Sequence, residues 1–385
     1  MKNFQDYTDE IYTCSRCGLC QSVCPVFLAT GKETAVSRGF FSTLMGVVKG
    51  HLKFNKKLRK NIDMCLTCNK CNAFCPSGID ASKIITAARA ECMGYIPLWK
   101  KLILRVFYSK LFLHLSSCVR LYRFLPVFDF CKAGKILHEF LTPFVQYKPQ
   151  KSQKNSHLKV VIFSGCINKY FNSSSLNAMK MFFEKEGIEY TIPDFECCTM
   201  PAYSAGDLEG FRDFAIKNLK LIPSDIDYVI FDCASCKKAF ALYPEFLQGD
   251  EKTLAEGVFA KCLHINEFLA KFDFNLPKLQ GNVAYHKPCH LDCFDETQEL
   301  IRNTGLNLLP VKDNCCGSGG LFFIENFAIS NSLAQKRAQE ITDASVDTVI
   351  TDCPLCRLGL IKGGVLSNCN LKIRQLTELL IRPFQ

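Results

Sequence analysis

The chain has 385 residues, 24 of them cysteine, and 47 basic against 37 acidic side chains give a formal net charge of +10. That length predicts two or three domains, and the 48% hydrophobic content is ample for their cores. The opening residues MKNFQDYTDE hold no apolar signal region, so a cytoplasmic location is expected and a disulfide framework is not. Metal ligation is then the economical use of the cysteines. No nucleic-acid-binding motif accompanies the charge, so no nucleic-acid partner is expected. No apolar run approaches the roughly 18 to 20 residues of a membrane span.

Two cysteine runs come first: Cys14-x2-Cys17-x2-Cys20-x3-Cys24-Pro25 and Cys65-x2-Cys68-x2-Cys71-x3-Cys75-Pro76. This is the bacterial-type ferredoxin spacing, written twice. Each run gives three thiolates to one cubane 4Fe–4S cluster and a fourth to the other. One cluster would take Cys14, Cys17, Cys20 and Cys75; the other would take Cys65, Cys68, Cys71 and Cys24. A pair of zinc knuckles is the alternative, but zinc gives no reason for a Cys-Pro in both runs. The region is expected to span residues 1–95. Its long insert, helical around Ser37 to Lys49, resembles the helical ferredoxin domains of respiratory dehydrogenases.

Residues 96–156 form a basic helical connector and linker. Pro97 suits a first helical turn. Trp99, Leu102, Ile103, Val106 and Leu113 share one helical face, opposite Lys101, Arg105 and Tyr108. Lys100 to Lys135 holds eight basic residues and one acid, Asp129. Such a segment suits either a membrane surface, on the inner face of the cytoplasmic membrane, or a connector packed on a neighbour. Lys148 to Ser156 reads as a polar linker.

The remainder is a repeat. Val160–Cys166 resembles Val283–Cys289, Cys197–Pro201 resembles Cys315–Gly319, and Tyr228–Cys236 resembles Thr348–Cys356, at offsets of 123, 118 and 120 residues. Two units follow, 157–278 and 279–385. Strands at Val160–Phe163, Tyr228–Phe231 and Thr348–Thr351 precede helical stretches such as Leu208–Lys220 and Asn326–Ile341. That alternation predicts α/β units with mainly parallel sheets. The fold class expected is thus α+β multidomain, a helical dicluster ferredoxin followed by two repeated α/β cysteine-rich units.

Each unit repeats five cysteines: Cys166, Cys197, Cys198, Cys233 and Cys236, then Cys289, Cys315, Cys316, Cys353 and Cys356. All fall at predicted strand ends, which converge on one crevice in an α/β sheet. Each Cys-x2-Cys precedes a helix, whose positive N-terminus favours the thiolate.

This repeat resembles the cysteine-rich CCG-domain family, found in heterodisulfide reductases and in iron–sulfur subunits of flavin-dependent dehydrogenases. The resemblance implies that each five-cysteine set holds an iron–sulfur cluster, noncubane 4Fe–4S in the reductase. Zinc in one or both units is the rival, and His286 and His290 flank Cys289. The first unit departs from the family pattern, reading Cys197-Cys198-Thr199 rather than Cys-Cys-Gly. The 25-residue gap from Cys289 to Cys315 is also shorter than usual for the reductase. Cys65-Leu66-Thr67-Cys68, Cys75-Pro76-Ser77-Gly78 and Ser37-Arg38-Gly39 look like the glycolate oxidase iron–sulfur subunit. Tyr285–His290 and Thr351–Cys356 resemble the iron–sulfur subunit of anaerobic glycerol-3-phosphate dehydrogenase. Cys198–Gly206 and Tyr243–Leu247 resemble the lactate-utilisation iron–sulfur protein.

Cys92, Cys118, Cys131, Cys262, Cys293 and Cys369 lie outside these motifs and read mostly as core or surface thiols. Gly317-Ser318-Gly319-Gly320 is not followed by Lys-Ser/Thr, so it is no phosphate loop; its small residues let backbone N–H groups approach sulfur. No G-x-G-x-x-G opens a helix after a strand. The expectation is an electron-transfer subunit with no catalytic residue of its own. It would take electrons from an FAD-containing dehydrogenase subunit acting on glycolate or lactate and pass them to quinone or another acceptor. A heterodisulfide-reductase-like catalyst and a glycerol-3-phosphate dehydrogenase subunit are the alternatives.

Overall fold

The computed structural model describes residues 3–98, 101, 132–141, 157–272 and 274–381. Trp99, Leu102 to Cys131, most of the expected amphipathic face and the linker Lys148 to Ser156 lie outside the described residues. No described helix is long and apolar enough to cross a membrane.

The N-terminal domain is helical. Its longer helices are α1 (Ser37–Val48), α2 (Lys56–Ile62) and α3 (Ala81–Glu91). Asn55 and Asp80 cap α2 and α3 by accepting from Leu58 N and Lys83 N. Phe40, Phe41 and Leu44 of α1 meet Ile84 and Ile85 of α3 and the N-terminal Phe4 and Ile11 in one core. This frame carries the two cysteine runs on the loops and short turns around it.

Each downstream unit is a four-stranded parallel sheet. In the first, β1 (Lys159–Phe163), β2 (Glu189–Thr191), β3 (Tyr228–Phe231) and β4 (Cys262–His264) stand in the order β2-β1-β3-β4. In the second, β5 (Asn282–Tyr285), β6 (Asn307–Leu309), β7 (Thr348–Ile350) and β8 (Ile373–Arg374) stand in the order β6-β5-β7-β8. The register repeats: Val160 pairs with Tyr228, and Val283 with Thr348. The main helices are α4 (Ser174–Glu186), α5 (Leu208–Leu219), α6 (Ala234–Phe246) and α7 (Ile265–Lys271), then α8 (Phe327–Asp343), α9 (Pro354–Ser367) and α10 (Leu376–Ile381).

The central strands are apolar on both faces, as parallel sheets covered by helices require. One face of β1 and β3, with Val160, Ile162 and Ile230, joins Val283, Tyr285 and Ile350 of the second unit and Leu376 and Leu379 of α10 in a shared core. The other face, with Val161, Phe163, Val229 and Phe231, turns towards Cys198, Cys233 and Cys236. The units are thus fused through a common core, and their cysteines gather on the remaining side. Lys132–Phe140 is a further helix, and Phe140 packs with Leu360 and Ile361 of α9.

Candidate metal centres

Within the helical domain, Cys14, Cys17, Cys20 and Cys75 line one cavity, and Cys24, Cys65, Cys68 and Cys71 line another, with Cys71 bordering both. The grouping follows the crossed pattern of the spacing, each run lending its last cysteine to the other's set. Thr67 N donates to Cys65 Sγ at 3.4 Å, and Ser37 Oγ to Cys71 Sγ at 3.2 Å. Burial pushes the Cys24 thiol up to about 12 and Cys68 to about 11, and raises Cys65 and Cys71 too. As bare thiols these stay protonated at neutral pH, so a bound metal has to displace the protons.

In each α/β unit the chain reverses its order of strand addition between the central strands, and ligands bind at such a switch point. Cys166 follows β1 and Cys233 follows β3; Cys289 follows β5 and Cys353 follows β7. Cys197-Cys198 and Cys315-Cys316 arrive on the loops after β2 and β6. Cys166 Sγ lies 3.4 Å from Cys197 Sγ, Cys198 contacts Cys197 and Cys236, and Cys236 contacts Cys233. In the second unit Cys316 Sγ lies 3.4 Å from Cys356 Sγ, and contacts run on to Cys315 and Cys353. Cys289 is exposed, yet it lies close enough to Cys316 and Cys353 to feel their charge.

The sets are not separate. Cys233 of the first unit bonds to Cys353 of the second. Cys289 and Cys315 lie close enough to Cys68 to feel its charge, and Cys24, Cys68 and Cys315 edge one small apolar cluster with Leu66 and Phe322. Sulfur therefore runs from the helical domain through the second unit to the first.

The Cys-x2-Cys turns sit where the sequence places them, Cys233 and Cys353 at the N-caps of α6 and α9. The expected thiol acidification appears only in part. Cys353 is lowered, first by its bond from Cys233 and then by Cys356. Cys233, despite its bond from Cys236, is held up by Cys353 and burial; Cys236 and Cys356 are raised by neighbouring thiols and burial. Thiol-to-thiol bonding outweighs the helix ends. Buried carboxyls brace both turns. Asn168 and Ser175 donate to Asp232 at 2.7 and 3.0 Å, while Tyr285 and Asn266 donate to Asp352 at 2.6 and 2.9 Å. Burial pushes Asp232 up to about 7 and Asp352 to about 6.

Residues 10–79 match the family model of the 4Fe-4S dicluster domain, and residues 160–241 and 283–361 each match the cysteine-rich domain CCG. The chain is a 4Fe–4S dicluster domain joined to two CCG domains. A probable glycolate oxidase iron-sulfur subunit of Bacillus subtilis is 23% identical over 97% of this chain and 94% of its own. A fumarate reductase (CoM/CoB) subunit of Methanothermobacter marburgensis is 25% identical over 98% of this chain and 73% of its own. Lactate utilization protein A of a Geobacillus species is 28% identical over 58% of this chain and 99% of its own. A hypothetical protein from Helicobacter pylori shares the fold, with a TM-score of 0.55, 13% identity, and 90% and 68% of the two chains covered.

The donor sets fit iron–sulfur clusters: clustered thiols, few competing oxygen ligands and N–H groups aimed at sulfur. Gly317 N donates to Cys315 Sγ at 3.3 Å and Thr199 N to Cys197 Sγ at 3.4 Å, the same bond in both CCG domains. The rest of the glycine run has another task than expected. A Cβ on Gly319 would press on Leu66 of the dicluster domain, and one on Gly320 on Ser204 of the first CCG domain. Cys92, Cys262 and Cys293 are buried core thiols, Cys369 is half-buried, and Cys118 and Cys131 lie outside the described residues.

Sequence reasoning missed the docking arginines, and it named the two histidines that flank Cys289 without their partners. Arg59 and Arg89, both buried, dock the dicluster domain: Arg59 donates to Ala205 O at 2.8 Å, and Arg89 donates to Ser204 O and to Cys65 O. His290 Nδ1 lies 3.0 Å from Ser235 Oγ, which lies 3.8 Å from Cys353 Sγ, while His290 also bonds to the Thr67 backbone. His286 meets Cys316 and Cys356 rather than Cys289. A basic residue on an otherwise apolar helix face was the only signal available for the arginines.

Proposed function

We propose that this chain is the iron–sulfur electron-transfer subunit of a flavin-dependent 2-hydroxyacid dehydrogenase complex. It receives electrons from a partner FAD subunit and passes them to quinone or another acceptor. Cys14, Cys17, Cys20 and Cys75 hold one cubane cluster, and Cys24, Cys65, Cys68 and Cys71 the other. Cys166, Cys197, Cys198, Cys233 and Cys236, and Cys289, Cys315, Cys316, Cys353 and Cys356, hold the further clusters. When bound, such clusters supply one-electron carriage. The observation that carries the reading is the unbroken succession of thiols from Cys68 through Cys315 and Cys353 to Cys233 and Cys166. Similarity to glycolate oxidase and lactate-utilisation proteins supports the substrate class. The basic segment of residues 96–147 fits a membrane-surface role where the acceptor is a quinone.

The chain's own residues hold thiolates, exclude water and donate N–H groups to sulfur. Anaerobic co-purification with an FAD dehydrogenase, followed by rapid mixing with glycolate or lactate, tests the reading. Bleaching of the iron–sulfur absorbance only when the flavin subunit is present supports it; no bleaching with either acid rejects it. A second reading, disulfide reduction by the chain itself, is favoured by the direct Cys233–Cys353 contact, which brings two sets face to face. Turnover of a disulfide by the reduced chain alone would select it.

A further inference from the structure

The two CCG sites share five cysteines, strand order and register, but not the residues around the sulfurs. His286 directly follows β5 and is 2% exposed. Its Nδ1 accepts from Arg337 Nε at 3.1 Å. A guanidinium keeps its proton, so Nδ1 is the lone-pair nitrogen and the ring proton sits on Nε2. The ring lies among Cys316 and Cys356, all three ligand atoms within 4.8 Å of one another, and His286 bonds to Cys316.

That arrangement decides between a donor and a metal ligand. A metal-bound histidine ordinarily gives its second N–H to a carboxylate or carbonyl, which raises the basicity of the coordinating nitrogen. Here the second nitrogen faces a buried cation instead, which drains basicity and sharpens the Nε2–H as a donor. Two cations accompany it. Arg337 is 1% exposed, lies 3.7 Å from Glu340, and donates to Lys312 O. Lys362 is buried, bonds to Ser330 Oγ at 2.6 Å, and feels the charge of Cys316.

Among the described residues, the first CCG domain has none of this. Register equates Val160–Ile162 with Val283–Tyr285, so one residue further on Phe163 stands where His286 does. Phe163 packs on Phe195, Phe231 and Phe240 at 4.8, 5.3 and 5.0 Å. The 120-residue offset of the Cys-x2-Cys turns puts Leu242 opposite Lys362. Helix α5 supplies Asn218, whose amide donates to Cys197 O at 3.1 Å, not to a sulfur.

We propose that His286, fixed by Arg337, donates Nε2–H to Cys316 and makes the second CCG site hold an electron more tightly than the first. Hydrogen bonds to cluster sulfur and nearby positive charge both favour the more negative, reduced state and so raise its potential. The site beside Cys68 is then the deeper electron trap. His286 is a positioning and tuning residue, not a ligand. The inference rests on the proposed clusters in the CCG domains.

The test uses the anaerobically purified full chain, with iron counted first and potentials read by EPR-monitored titration. His286→Phe, which copies the first domain, keeps its iron and moves one CCG signal to lower potential, leaving the other signals in place. Arg337→Gln moves the same signal by less. An unmoved potential with iron intact overturns this inference alone. Loss of iron from the second site in His286→Phe makes His286 a ligand and overturns it too. Where that variant does not fold, pulsed EPR of the parent decides. With histidine labelled by 15N, a weak coupling to histidine nitrogen through the hydrogen bond upholds the proposal; a directly bound histidine nitrogen, or no histidine coupling, defeats it. A second CCG domain without iron defeats both this and the function proposed above.

Discussion

Thr199 and Gly317 occupy the same place after the paired cysteines, and both hold a left-handed backbone, φ +53° and +73°. A β-branched residue is strained there by about 1–2 kcal/mol, and Thr199 Oγ1 is buried without a hydrogen-bond partner. The two positions differ in space: a Cβ on Gly317 would meet Ser330 O at 2.6 Å. Thr199→Gly should therefore stay within about 1 kcal/mol of the parent, relief of strain offsetting lost packing. Gly317→Thr should cost at least about 2 kcal/mol, and thermal unfolding of the pair checks both. His264 gives a pH signature. Burial first, and then Lys237, pull it down to about 3, below its ordinary 6.5. A depressed histidine contributes stability present above 6.5 and lost as pH falls towards the folded value, about 5 kcal/mol in full. His264→Gln copies Gln375, which precedes α10 as His264 precedes α7. It should flatten the fall in denaturant midpoint between pH 6.5 and 5; an unchanged slope would assign that fall elsewhere. The sequence showed the Cys-Cys-Thr departure plainly. It did not show that the position needs a left-handed backbone, because that demand comes from the turn and not from the residue.

At the scale of elements, sequence periodicity located the long pieces well. The helix expected around Ser37 to Lys49 spans Ser37–Val48, and the strand at Tyr228–Phe231 is as read. The short edge strands β2, β4, β6 and β8, of two or three residues each, were invisible, since so few residues carry no period. Equally hidden was the pairing of a helix with its brace. Arg357 of α9 binds Glu378 of α10 at 3.0 Å and also donates to Ser174 of α4, with both partners of the ion pair buried. Burial pushes Glu378 up, but Arg357, Ser174 and Gln375 N together hold it below the ordinary glutamate range. This contribution is present above the ordinary value and is lost as pH falls through the lower folded one. Arg357→Met leaves the buried Glu378 carboxylate without its ion-pair partner and should cost about 3–5 kcal/mol. The matching Lys237–Glu267 pair is more exposed, 11% and 21%, and Lys237→Met should cost distinctly less in the same unfolding assay.

At the scale of the whole molecule, three cysteine-bearing bodies are locked into one succession of sulfurs. Arg59 and Arg89 hold the dicluster domain on the first CCG domain, and Asp63 ties the two arginines, at 2.9 Å from Arg59 and 3.4 Å from Arg89. Gly206, at φ +85°, lets the first CCG domain approach α3 so closely that a Cβ would meet Ala90 N at 2.6 Å. Arg89→Met should loosen this contact, since it removes the donor to Ser204 O and Cys65 O and one of the two arginines beside Asp63. The expected result is slower electron passage between dicluster and CCG signals in rapid-freeze EPR, with iron content unchanged. The domain order and all eighteen motif cysteines were legible in the sequence. Their fusion was not, because the shared core joins Ile162 and Phe268 to Tyr285 and Leu376 across more than a hundred residues. The raised thiols also predict that cluster assembly releases protons and proceeds more readily as pH rises, which reconstitution from pH 6.5 to 8.5 would show. Metal analysis of the anaerobically purified chain tests the central claim most directly. Iron and acid-labile sulfide in equal amounts, divided between dicluster and CCG domains and falling in Cys68→Ser and Cys316→Ser variants, is the predicted result. Stoichiometric zinc with no iron would contradict it.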